Sequence, residues 1–309
     1  MPFFLGIDGG GSKTRCLIGD KASVLGAGSA AGCNVLRVGE ACARDSLTGA
    51  IHEACVQAGI SPRQLARTCA GIAGAADDGV ASLVQRLLIE VIGGAIEVIG
   101  DMEIALESAF ADGIGVVVIA GTGSIAYGRN GHGDTARAGG WGRMVSDEGS
   151  GHWIGVEAIR QALQAHDRGQ ADELLEKLVS ALQIETVNDL AARVNAHPTP
   201  DFASLFPVVQ EAAETGSQIA VGVLDHAGDE LAQLVSAVIG RIFAATTEVQ
   251  VPVASHGGIF ASSTKVKHSF EHQLGSRCPQ AKCVDVPVNP VLGALQRARR
   301  EFDVWHRGQ

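Results

Sequence analysis

The sequence predicts an α/β protein with two domains, and three observations support this prediction. Short apolar runs, typical of buried strands, alternate with longer segments in which apolar residues recur at helical spacing. An apolar strand, a loop of glycines and hydroxyl residues, and a second strand occur together twice, near residues 10 and 122. With 309 residues and 46% hydrophobic content, the chain is long enough to form two cores.

The first part of the chain is predicted to alternate strands with helices, which indicates a mostly parallel or mixed sheet. Apolar runs predict strands over residues 3–7, 14–18, 24–28, 68–74 and 95–100. Helical periodicity predicts helices over residues 39–58, 80–92 and 102–110, and residues 29–39 are predicted to form a polar loop. A domain boundary is expected near residues 114–120, where the first α/β unit ends.

The second part of the chain repeats this pattern and adds helices. Strands are predicted over residues 115–123, 124–128, 251–254 and 282–286, and a polar loop over residues 137–153. Helices are predicted from residue 153 onward and over residues 170–182, 185–195, 202–215, 219–243 and 289–302. The stretch from residue 153 to residue 243 is therefore expected to add a helical insertion to the second α/β unit.

The composition argues against several kinds of partner. A net charge of −10 disfavours a nucleic-acid backbone or an anionic membrane, because both would repel the protein. We expect no signal peptide, since the first apolar run is short and lacks a basic segment. We expect no transmembrane helix, since polar residues interrupt the longest uncharged run. The seven cysteines form no CxxC pair, which favours a cytosolic protein with reduced thiols.

The segment IDGGGSKT, residues 7–14, has the composition of an anion-binding loop. Its three consecutive glycines leave backbone N–H groups unshielded, and its hydroxyl and lysine side chains add polar groups. Asp8 ends the preceding strand and is placed to hold a hydrated divalent cation that accompanies a phosphate. The alternative is a glycine-rich hairpin turn with a solvated lysine. The candidate phosphate-binding residues are Gly9, Gly10, Gly11, Ser12, Lys13 and Thr14.

Two later glycine segments also follow predicted strands. The turn GTGS, residues 121–124, repeats the arrangement of the first loop, and two such loops facing each other could bind a polyphosphate from both sides. Turns of small residues are also frequent without any ligand. The pair Gly257 and Gly258 would let a flat base lie against bare backbone. The candidate nucleotide-binding residues here are Gly121, Thr122, Gly123, Ser124, Gly257 and Gly258.

Asp101 and the polar loop over residues 137–153 are further candidates for a ligand site. Asp101 follows a predicted strand, and in sheets of this class ligands bind beyond the carboxyl ends of strands. The alternative is that Asp101 caps the helix that begins there. In the loop, Trp141 and Asp147 suit a polyhydroxylated ligand, since a carboxylate accepts hydrogen bonds from sugar hydroxyls. The alternative is an omega loop in which Trp141 forms its own small core.

Seven motifs, taken in their order along the chain, carry a resemblance to a known family. They are IDGGGSKT at residues 7–14, GD at 100–101, AGTGS at 120–124, GGWG at 139–142, SDEGS at 146–150, GG at 257–258 and NPVLGAL at 289–295. From residue 3 to about residue 303, the chain resembles the N-acetylglucosamine kinase and BadF/BadG/BcrA/BcrD ATPase family of the actin, hexokinase and Hsp70 superfamily. The resemblance implies two ribonuclease-H-like (actin-like ATPase) domains around a central cleft. Residues 1–117 and the C-terminal helix 289–305 would form one domain, and residues 118–288 the other.

The resemblance also implies a reaction and a role for each candidate residue. It implies phosphoryl transfer from ATP, with Mg²⁺, to the 6-hydroxyl of N-acetylglucosamine or glucosamine, giving the 6-phosphate and ADP. Asp8 would hold Mg²⁺ through water, both glycine loops would bind phosphates, and the glycine pair at 257–258 would line the adenosine. Asp101 would be the base that accepts the hydroxyl proton. The amino sugar would be bound by Asn34, Asp101, Trp141, Gly142 and Asp147, and a homodimer is implied.

Two departures from the family pattern and two alternative functions bear on this expectation. Ser12 stands where the family usually has threonine, and the segment at residues 71–75 lacks the serine with which some members contact the sugar. One alternative is an ATPase that drives electrons into a dehydratase. Such proteins hold an iron–sulfur cluster through cysteines after a glycine loop, whereas Cys278 and Cys283 lie late in this chain. The other alternative is a non-catalytic sugar or nucleotide sensor.

Overall fold

The computed structural model describes residues 2–170, 172–243 and 250–307, with side chains as far as residue 302. The chain forms two compact units. Unit 1 comprises Met1–Ile114 and Val286–Gln309, and unit 2 comprises Gly115–Asp285. Position 171 of the helix predicted over residues 170–182 lies outside the described residues, as do positions 1 and 244–249 of the predicted domains. No described helix combines the length and the apolar composition that a membrane span requires.

The described residues form ten strands and twelve α-helices. The strands are β1 (Phe3–Gly9), β2 (Lys13–Gly19), β3 (Val24–Ala31), β4 (Leu65–Ile72), β5 (Ala95–Gly100), β6 (Gly115–Ala120), β7 (Ser124–Arg129), β8 (Thr135–Gly139), β9 (Val251–His256) and β10 (Ala281–Val284). The helices are α1 (Val35–Val38), α2 (Glu40–Ala58), α3 (Asp78–Val91), α4 (Asp101–Ala109), α5 (Gly151–Asp167), α6 (Glu173–Ala181), α7 (Val187–Val194), α8 (Phe206–Thr215), α9 (Gln218–Ile242), α10 (Gly258–Ser262), α11 (Thr264–Arg277) and α12 (Pro290–Arg307). Most of them match the predicted elements to within a few residues.

The sheet of unit 1 has five strands in the order β3-β2-β1-β4-β5. β1, β2 and β3 form an antiparallel meander, β4 runs parallel to β1, and β5 runs parallel to β4. The central strand β1 is apolar along most of its length, as expected for a strand covered on both faces. A Cβ at Gly6 of this strand would lie 2.4 Å from the backbone nitrogen of Leu295. The glycine therefore allows α12 to pack closely on the sheet.

Helices cover both faces of the sheet of unit 1. Consecutive strand residues point to opposite faces, so Phe4 and Leu5 of β1 belong to different cores. Leu5 lies in the core formed with α2 and α3, which includes Leu47. Phe4 lies in the core formed with α4 and α12, which includes Ile104 and Leu295. The C-terminal helix is therefore an integral part of unit 1.

A buried ion-pair network attaches α12 to the rest of unit 1. The carboxylate of Glu107, whose side chain is 1% exposed, accepts hydrogen bonds from Arg297 at 2.9 Å and Arg300 at 2.7 Å. Arg297 also donates to both carboxylate oxygens of Glu97, at 2.7 and 3.2 Å. The low exposure of Glu107 and Arg297 makes their charges costly to leave without a partner.

We expect Glu107→Gln to lower the free energy of unfolding by about 2 kcal/mol, because it leaves two arginines without their buried anion. We expect no larger loss of stability, because Arg297 still has its ion pair with Glu97 and because the side chain of Arg300 is exposed to water. Urea unfolding followed by circular dichroism measures the effect. The control is Glu90→Gln, which removes an exposed partner of Arg44 and should cost less than about 0.5 kcal/mol. Equal losses in the two variants would contradict the prediction.

The sheet of unit 2 repeats the strand order of unit 1. Its order is β10-β9-β6-β7-β8, with an antiparallel meander of β6, β7 and β8 and with β9 parallel to β6 and β10 parallel to β9. The long helix α9 packs against the three meander strands. The strand, loop and strand repeat seen in the sequence is thus part of a repeat of the whole sheet. The predicted α/β class is confirmed.

The described structure departs from the predicted elements mainly at residues 137–153, which were predicted to be one loop. Strand β8 extends into this segment, and α5 begins at Gly151 instead of residue 153. The strand TARAG has only alanines as apolar side chains and lies at the edge of the sheet, so its apolar pattern is faint. Two smaller departures are the short helix α1 within the predicted loop 29–39 and a 3₁₀ turn, Phe202–Leu205, at the start of the helix predicted over residues 202–215.

Candidate active site

Three parallel strands of unit 1 end at the same edge of the sheet, and two carboxylates lie there. Gly9 of β1 pairs with Ile72 of β4, which in turn pairs with Gly100 of β5. Asp8 is the residue before Gly9, and Asp101 is the residue after Gly100. The carboxyl ends of parallel strands are where sheets of this class bind ligands. The structure therefore brings two predicted site residues of unit 1 to one place.

Burial raises the pKa of both carboxylates, and the charge of Asp101 adds to the rise at Asp8. The pKa of Asp8 is raised to about 6, mainly by burial and then by the negative charge of Asp101, while Arg15 acts to lower it. Burial also raises the pKa of Asp101, and the N–H of Met102, which donates to its Oδ1 at 3.1 Å, opposes the rise. Two negative charges in a partly buried site are stabilised when a cation or a proton binds there.

Asp101 does not cap the helix that follows it, which was the alternative reading of this residue. The N-cap of α4 is Gly100, and the carboxylate of Glu103 accepts a hydrogen bond from its N–H at 3.2 Å. Asp101 is instead the first residue of the helix and holds its own carboxylate against the N–H of Met102. Asp101 is therefore not the N-cap residue, although its carboxylate accepts a hydrogen bond from one N–H of the first helical turn.

The first glycine turn joins β1 to β2 and presents a mostly open tip. The N–H of Gly10 donates to the carbonyl of Lys13 at 2.9 Å, and the side chains of Ser12 and Lys13 are exposed. Thr14 is different, because it is 0% exposed and its hydroxyl donates to the carbonyl of Ala31 at 2.8 Å. The structure thus separates Thr14 from the other predicted phosphate-binding residues.

Asn34 lies beside the first glycine turn. The carbonyl of Gly10 accepts hydrogen bonds from the N–H groups of Cys33 and Asn34, at 3.1 and 3.3 Å. The side chain of Asn34 caps α1, with its Oδ1 accepting from the N–H of Leu36 at 3.1 Å. Within the described part of the chain, its amide nitrogen has no acceptor. A donor group is therefore available next to the turn.

Arg37 was not identified from the sequence, although it lies at the first glycine turn. A Cβ at Gly11 would stand 3.0 Å from Nη1 of Arg37 and 3.5 Å from its Cδ. The arginine lies within a polar loop of the sequence with no special spacing, so the only available signal was its basic charge close to Asn34. Its position follows from the hydrogen bonds that hold residues 33 and 34 on the turn.

The second glycine turn, in unit 2, is held by the segment that follows β8. The N–H of Gly121 donates to the carbonyl of Gly123 at 2.9 Å, and the carbonyl of Gly121 accepts from the N–H of Gly151 at 2.8 Å. Thr122 is exposed at the tip. Ser124 is 3% exposed, and its hydroxyl donates to the carbonyl of Glu148 at 2.7 Å. The Thr122 hydroxyl is accessible to a ligand, whereas the Ser124 hydroxyl already has a partner.

Asp147 supports the second glycine turn. Its Oδ1 accepts a hydrogen bond from the N–H of Ser124 at 3.3 Å, and a Cβ at Gly123 would lie 3.0 Å from its carboxylate. Asp147 is 8% exposed and has a φ of +71°, which is unusual for a residue with a side chain. Burial raises its pKa. The structure therefore places this predicted sugar-binding residue with Gly123 and Ser124.

Trp141 lies on the surface and does not form a small core of its own. The residue is 67% exposed, and the guanidinium of Arg137 lies 4.1 Å from the ring centre. Gly142, which follows it, has a φ of +95° and has open space where a Cβ would be. The tryptophan thus presents an aromatic surface beside open backbone, as a sugar-binding loop does.

The glycine pair after β9 lies next to the second glycine turn. His256 at the end of β9 pairs with Ile119 of β6, so the two strands end together. A Cβ at Gly257, which has a φ of +108°, would lie 2.2 Å from the carbonyl oxygen of Ala120. Nothing lies within 4 Å of a Cβ at Gly258. Unit 2 therefore brings four predicted nucleotide-binding glycines, Gly121, Gly123, Gly257 and Gly258, to one edge of its sheet.

The residues at the edge of unit 1 fit a Mg²⁺ ion that is bound together with phosphate. Within the described ranges, no group of three or more His, Cys, Asp or Glu side chains could hold a metal alone. Mg²⁺ commonly binds through one or two carboxylates and through substrate phosphates. Burial and the negative charge of Asp101 disfavour the ionised form of Asp8, and a bound cation would favour it.

These features define a class of protein. Two α/β units with the same strand order, each with a glycine turn after the first strand of its meander, form the fold of two-domain actin-like ATPases. The BadF/BadG/BcrA/BcrD ATPase family matches residues 5–298. The chain therefore belongs to this family, and the resemblance inferred from the motifs is confirmed.

Individual relatives agree with the family assignment. An N-acetylmuramic acid/N-acetylglucosamine kinase of Clostridium acetobutylicum is 32% identical over an alignment of 309 positions, which covers 98% of this chain and 100% of that protein. An N-acetyl-D-glucosamine kinase of Dictyostelium discoideum is 29% identical over 306 residues, covering 94% of this chain and 96% of that one. The structure of an assigned N-acetylglucosamine kinase of Chromobacterium violaceum is similar in fold, with a TM-score of 0.76, 23% identity and coverage of 96% and 98%.

Proposed function

We propose that this chain is an ATP-dependent amino-sugar kinase that phosphorylates the 6-hydroxyl of N-acetylglucosamine or a closely related sugar. The observation that carries the proposal is the partly buried carboxylate of Asp101 beside Asp8, at the strand edge that also holds the first glycine turn. Both curated relatives are kinases named for N-acetylated amino sugars, which supports the same substrate class here.

The residues of unit 1 would position the acceptor sugar and take its proton. As the 6-oxygen attacks the terminal phosphorus, Asp101 would accept the hydroxyl proton, and the bond from phosphorus to ADP would break. Burial raises the pKa of Asp101, which makes its carboxylate a stronger base. The amide of Asn34 would donate to a sugar hydroxyl. The N–H groups of residues 11 and 12 would bind phosphate oxygens, whereas the N–H of Gly10 already donates to the carbonyl of Lys13.

The residues of unit 2 would also bind groups of the nucleotide and of the sugar. Gly121, Thr122 and Gly123 would contact phosphate, with the exposed Thr122 hydroxyl as a donor. The open space at Gly258 would accept the flat base. Trp141 would stack on the sugar, with Gly142 leaving room beside it. Asp147 and Ser124 would mainly keep the turn in shape, because their polar groups contact the turn and its neighbouring segment.

Mg²⁺, when bound, would offset the charge of the phosphate oxygens during transfer. Asp8 is the residue that would hold the ion, through water. Its carboxylate is mostly ionised at neutral pH, because its raised pKa is about 6. The closeness of Asp101 gives the ion a second negative charge nearby.

No observation favours the dehydratase-activating ATPase. Cys278 is buried and Cys283 is exposed, and the described residues include no cysteine-containing group of metal-binding size. A non-catalytic sensor would gain nothing from a partly buried carboxylate with a raised pKa at the ligand edge. The homodimer and the cytosolic location stay predictions.

The proposal is tested by measuring ADP release with Mg-ATP over hexoses, hexosamines, N-acetylhexosamines and N-acetylmuramic acid. We expect release with N-acetylglucosamine, glucosamine or a close relative, and little with unmodified hexoses. The 6-deoxy analogue of the best substrate should give no ADP above background, since it lacks the acceptor oxygen. Absence of ADP release with every amino sugar would refute the proposal, and turnover of the 6-deoxy analogue would refute the assigned hydroxyl.

A further inference from the structure

We propose that Arg37 binds the terminal phosphoryl group of the nucleotide at the first glycine turn and stabilises its charge during transfer. This inference rests on the proposed kinase function. Arg37 belongs to none of the sequence motifs that predicted the site. It is assigned here from its position, its lack of a protein partner and the chemistry of its guanidinium.

The position of Arg37 is set by the missing side chain of Gly11. A Cβ at Gly11 would lie 3.0 Å from Nη1, 3.5 Å from Cδ and 4.0 Å from Cζ of Arg37. The outer half of the arginine side chain thus runs along the glycine backbone. A group that binds to the N–H donors of this turn would lie within reach of the guanidinium. A Cβ at position 11 would be tight against Nη1, so the guanidinium would have to shift slightly.

The backbone below Arg37 is fixed to the same turn. The carbonyl of Gly10 accepts hydrogen bonds from the N–H groups of Cys33 and Asn34, and the N–H of Arg37 donates to the carbonyl of Asn34 at 2.9 Å. Cys33 is 0% exposed and lies against Gly9, where a Cβ would stand 2.5 Å from its sulfur. The arginine is therefore carried by a short, anchored segment and its geometry relative to the turn is well defined.

The guanidinium of Arg37 has no carboxylate or carbonyl partner within the described ranges of the chain. Five other arginines of unit 1 do have such partners: Arg297 and Arg300 bind Glu107, Arg63 and Arg299 donate to backbone carbonyls, and Arg44 binds Glu90. The chain has 34 acidic and 24 basic Lys and Arg residues, so anions to pair with are plentiful. Arg37 is exposed and keeps its five donors for a ligand.

An arginine in this place suits phosphoryl transfer. Its planar guanidinium can donate two parallel hydrogen bonds to phosphate oxygens. During transfer the bond from the sugar oxygen to phosphorus forms, the bond from phosphorus to the ADP oxygen breaks with its electron pair leaving on ADP, and the hydroxyl proton goes to Asp101. Charge is spread over the oxygens of the transferred group in this transition state, where a cation supplied by the protein lowers the barrier.

The test compares Arg37→Ala with Arg86→Ala, a matched control that removes another exposed arginine without a described partner in unit 1, on α3. Binding of ADP and of a non-hydrolysable ATP analogue is measured by calorimetry with Mg²⁺. We expect Arg37→Ala to weaken binding of the triphosphate analogue by about 10-fold or more and to leave ADP binding unchanged. We expect its turnover to fall by about 100-fold at an unchanged sugar KM. Arg86→Ala should match the wild type in each measurement.

A second readout separates a chemical role from a structural one. Added guanidinium ion should restore part of the turnover of Arg37→Ala and should not affect Arg86→Ala. Equal weakening of both nucleotides, or a raised sugar KM with normal turnover, would overturn the assignment to the terminal phosphoryl group. Failure of the kinase proposal is recognised separately, as a wild-type protein that binds the triphosphate analogue through Arg37 but releases no ADP with any amino sugar.

Discussion

Asp101→Asn is expected to lower the turnover of the proposed kinase reaction by about 100-fold or more, while binding of nucleotide and amino sugar persists. Asparagine has nearly the same shape as aspartate, and its Oδ1 can still accept the hydrogen bond from the N–H of Met102. It cannot accept a proton. The measurement is steady-state ADP release with saturating Mg-ATP and sugar, together with calorimetric binding of each ligand.

The control for this substitution is Glu103→Gln on the same helix turn. The carboxylate of Glu103 accepts from the N–H of Gly100 at 3.2 Å, and the glutamine oxygen can keep this bond. We expect Glu103→Gln to retain near-normal turnover, which separates loss of a base from disturbance of the helix end. Near-normal turnover of Asp101→Asn would show that its carboxylate takes no part in proton transfer.

Much of the fold could be predicted from the sequence because apolar periodicity is a local property. The strand β1 is a continuous apolar run, and β5 was predicted over the same residues that the structure shows. The strand β8 could not be predicted in the same way, because an edge strand of small residues carries little apolar signal. Which strands pair depends on contacts far apart in sequence, so the shared strand order of the two units emerged only from the coordinates.

The candidate site was predicted less completely than the fold, and the reason is side-chain direction. The motifs grouped Ser12 with Thr14 and Thr122 with Ser124, but Ser12 and Thr122 lie in exposed turns, whereas Thr14 and Ser124 belong to β2 and β7 and are buried. Thr14 and Ser124 are buried with hydroxyls bonded to backbone carbonyls. A motif gives the residue types near a ligand. The position at which the turn ends and the strand begins decides which hydroxyl can reach the ligand.

Arg37 and Asp147 show a second limit of sequence reasoning. Arg37 lies at Gly11 because two hydrogen bonds from residues 33 and 34 hold its segment on Gly10, and nothing local in the sequence encodes that contact. Asp147 was selected for a sugar and is found against Gly123 and Ser124. In both cases the decisive interaction joins residues more than 20 positions apart.

Asp8→Asn is expected to stabilise the ligand-free protein at pH 7 while weakening its use of Mg²⁺. The pKa of Asp8 is about 6 in the folded protein, against an ordinary value of 3.8, so the folded state holds this proton more tightly than the unfolded chain. The stability that the proton supplies is complete below pH 3.8 and is lost as the pH rises through 6. At pH 7 the ionised carboxylate therefore costs about 3 kcal/mol, which asparagine avoids.

The expected results are a higher free energy of unfolding for Asp8→Asn at pH 7 and little difference from the wild type at pH 4, both measured by urea unfolding without ligand. The Mg²⁺ concentration for half-maximal activity should rise by about 10-fold or more, since the proposed ion-holding carboxylate is gone. Wild-type kcat/KM should fall as the pH drops through about 6, because Asp8 then takes up a proton.

The matched control is Asp20→Asn, because the pKa of Asp20 is lowered in the folded protein whereas that of Asp8 is raised. Asp20 is exposed, and the N–H groups of Ser23 and Ala22, which donate to its carboxylate at 2.7 and 2.8 Å, lower its pKa. Its ionised form is therefore favoured by folding, so removing the charge should not stabilise the protein at pH 7. Two results would contradict this assignment of Asp8. One is that Asp8→Asn and Asp20→Asn change stability in the same direction, and the other is that Asp8→Asn keeps the wild-type Mg²⁺ requirement. A destabilised carboxylate is the physical basis for placing the metal at this edge, because a bound cation would offset both the burial and the repulsion by Asp101 that disfavour the ionised form of Asp8.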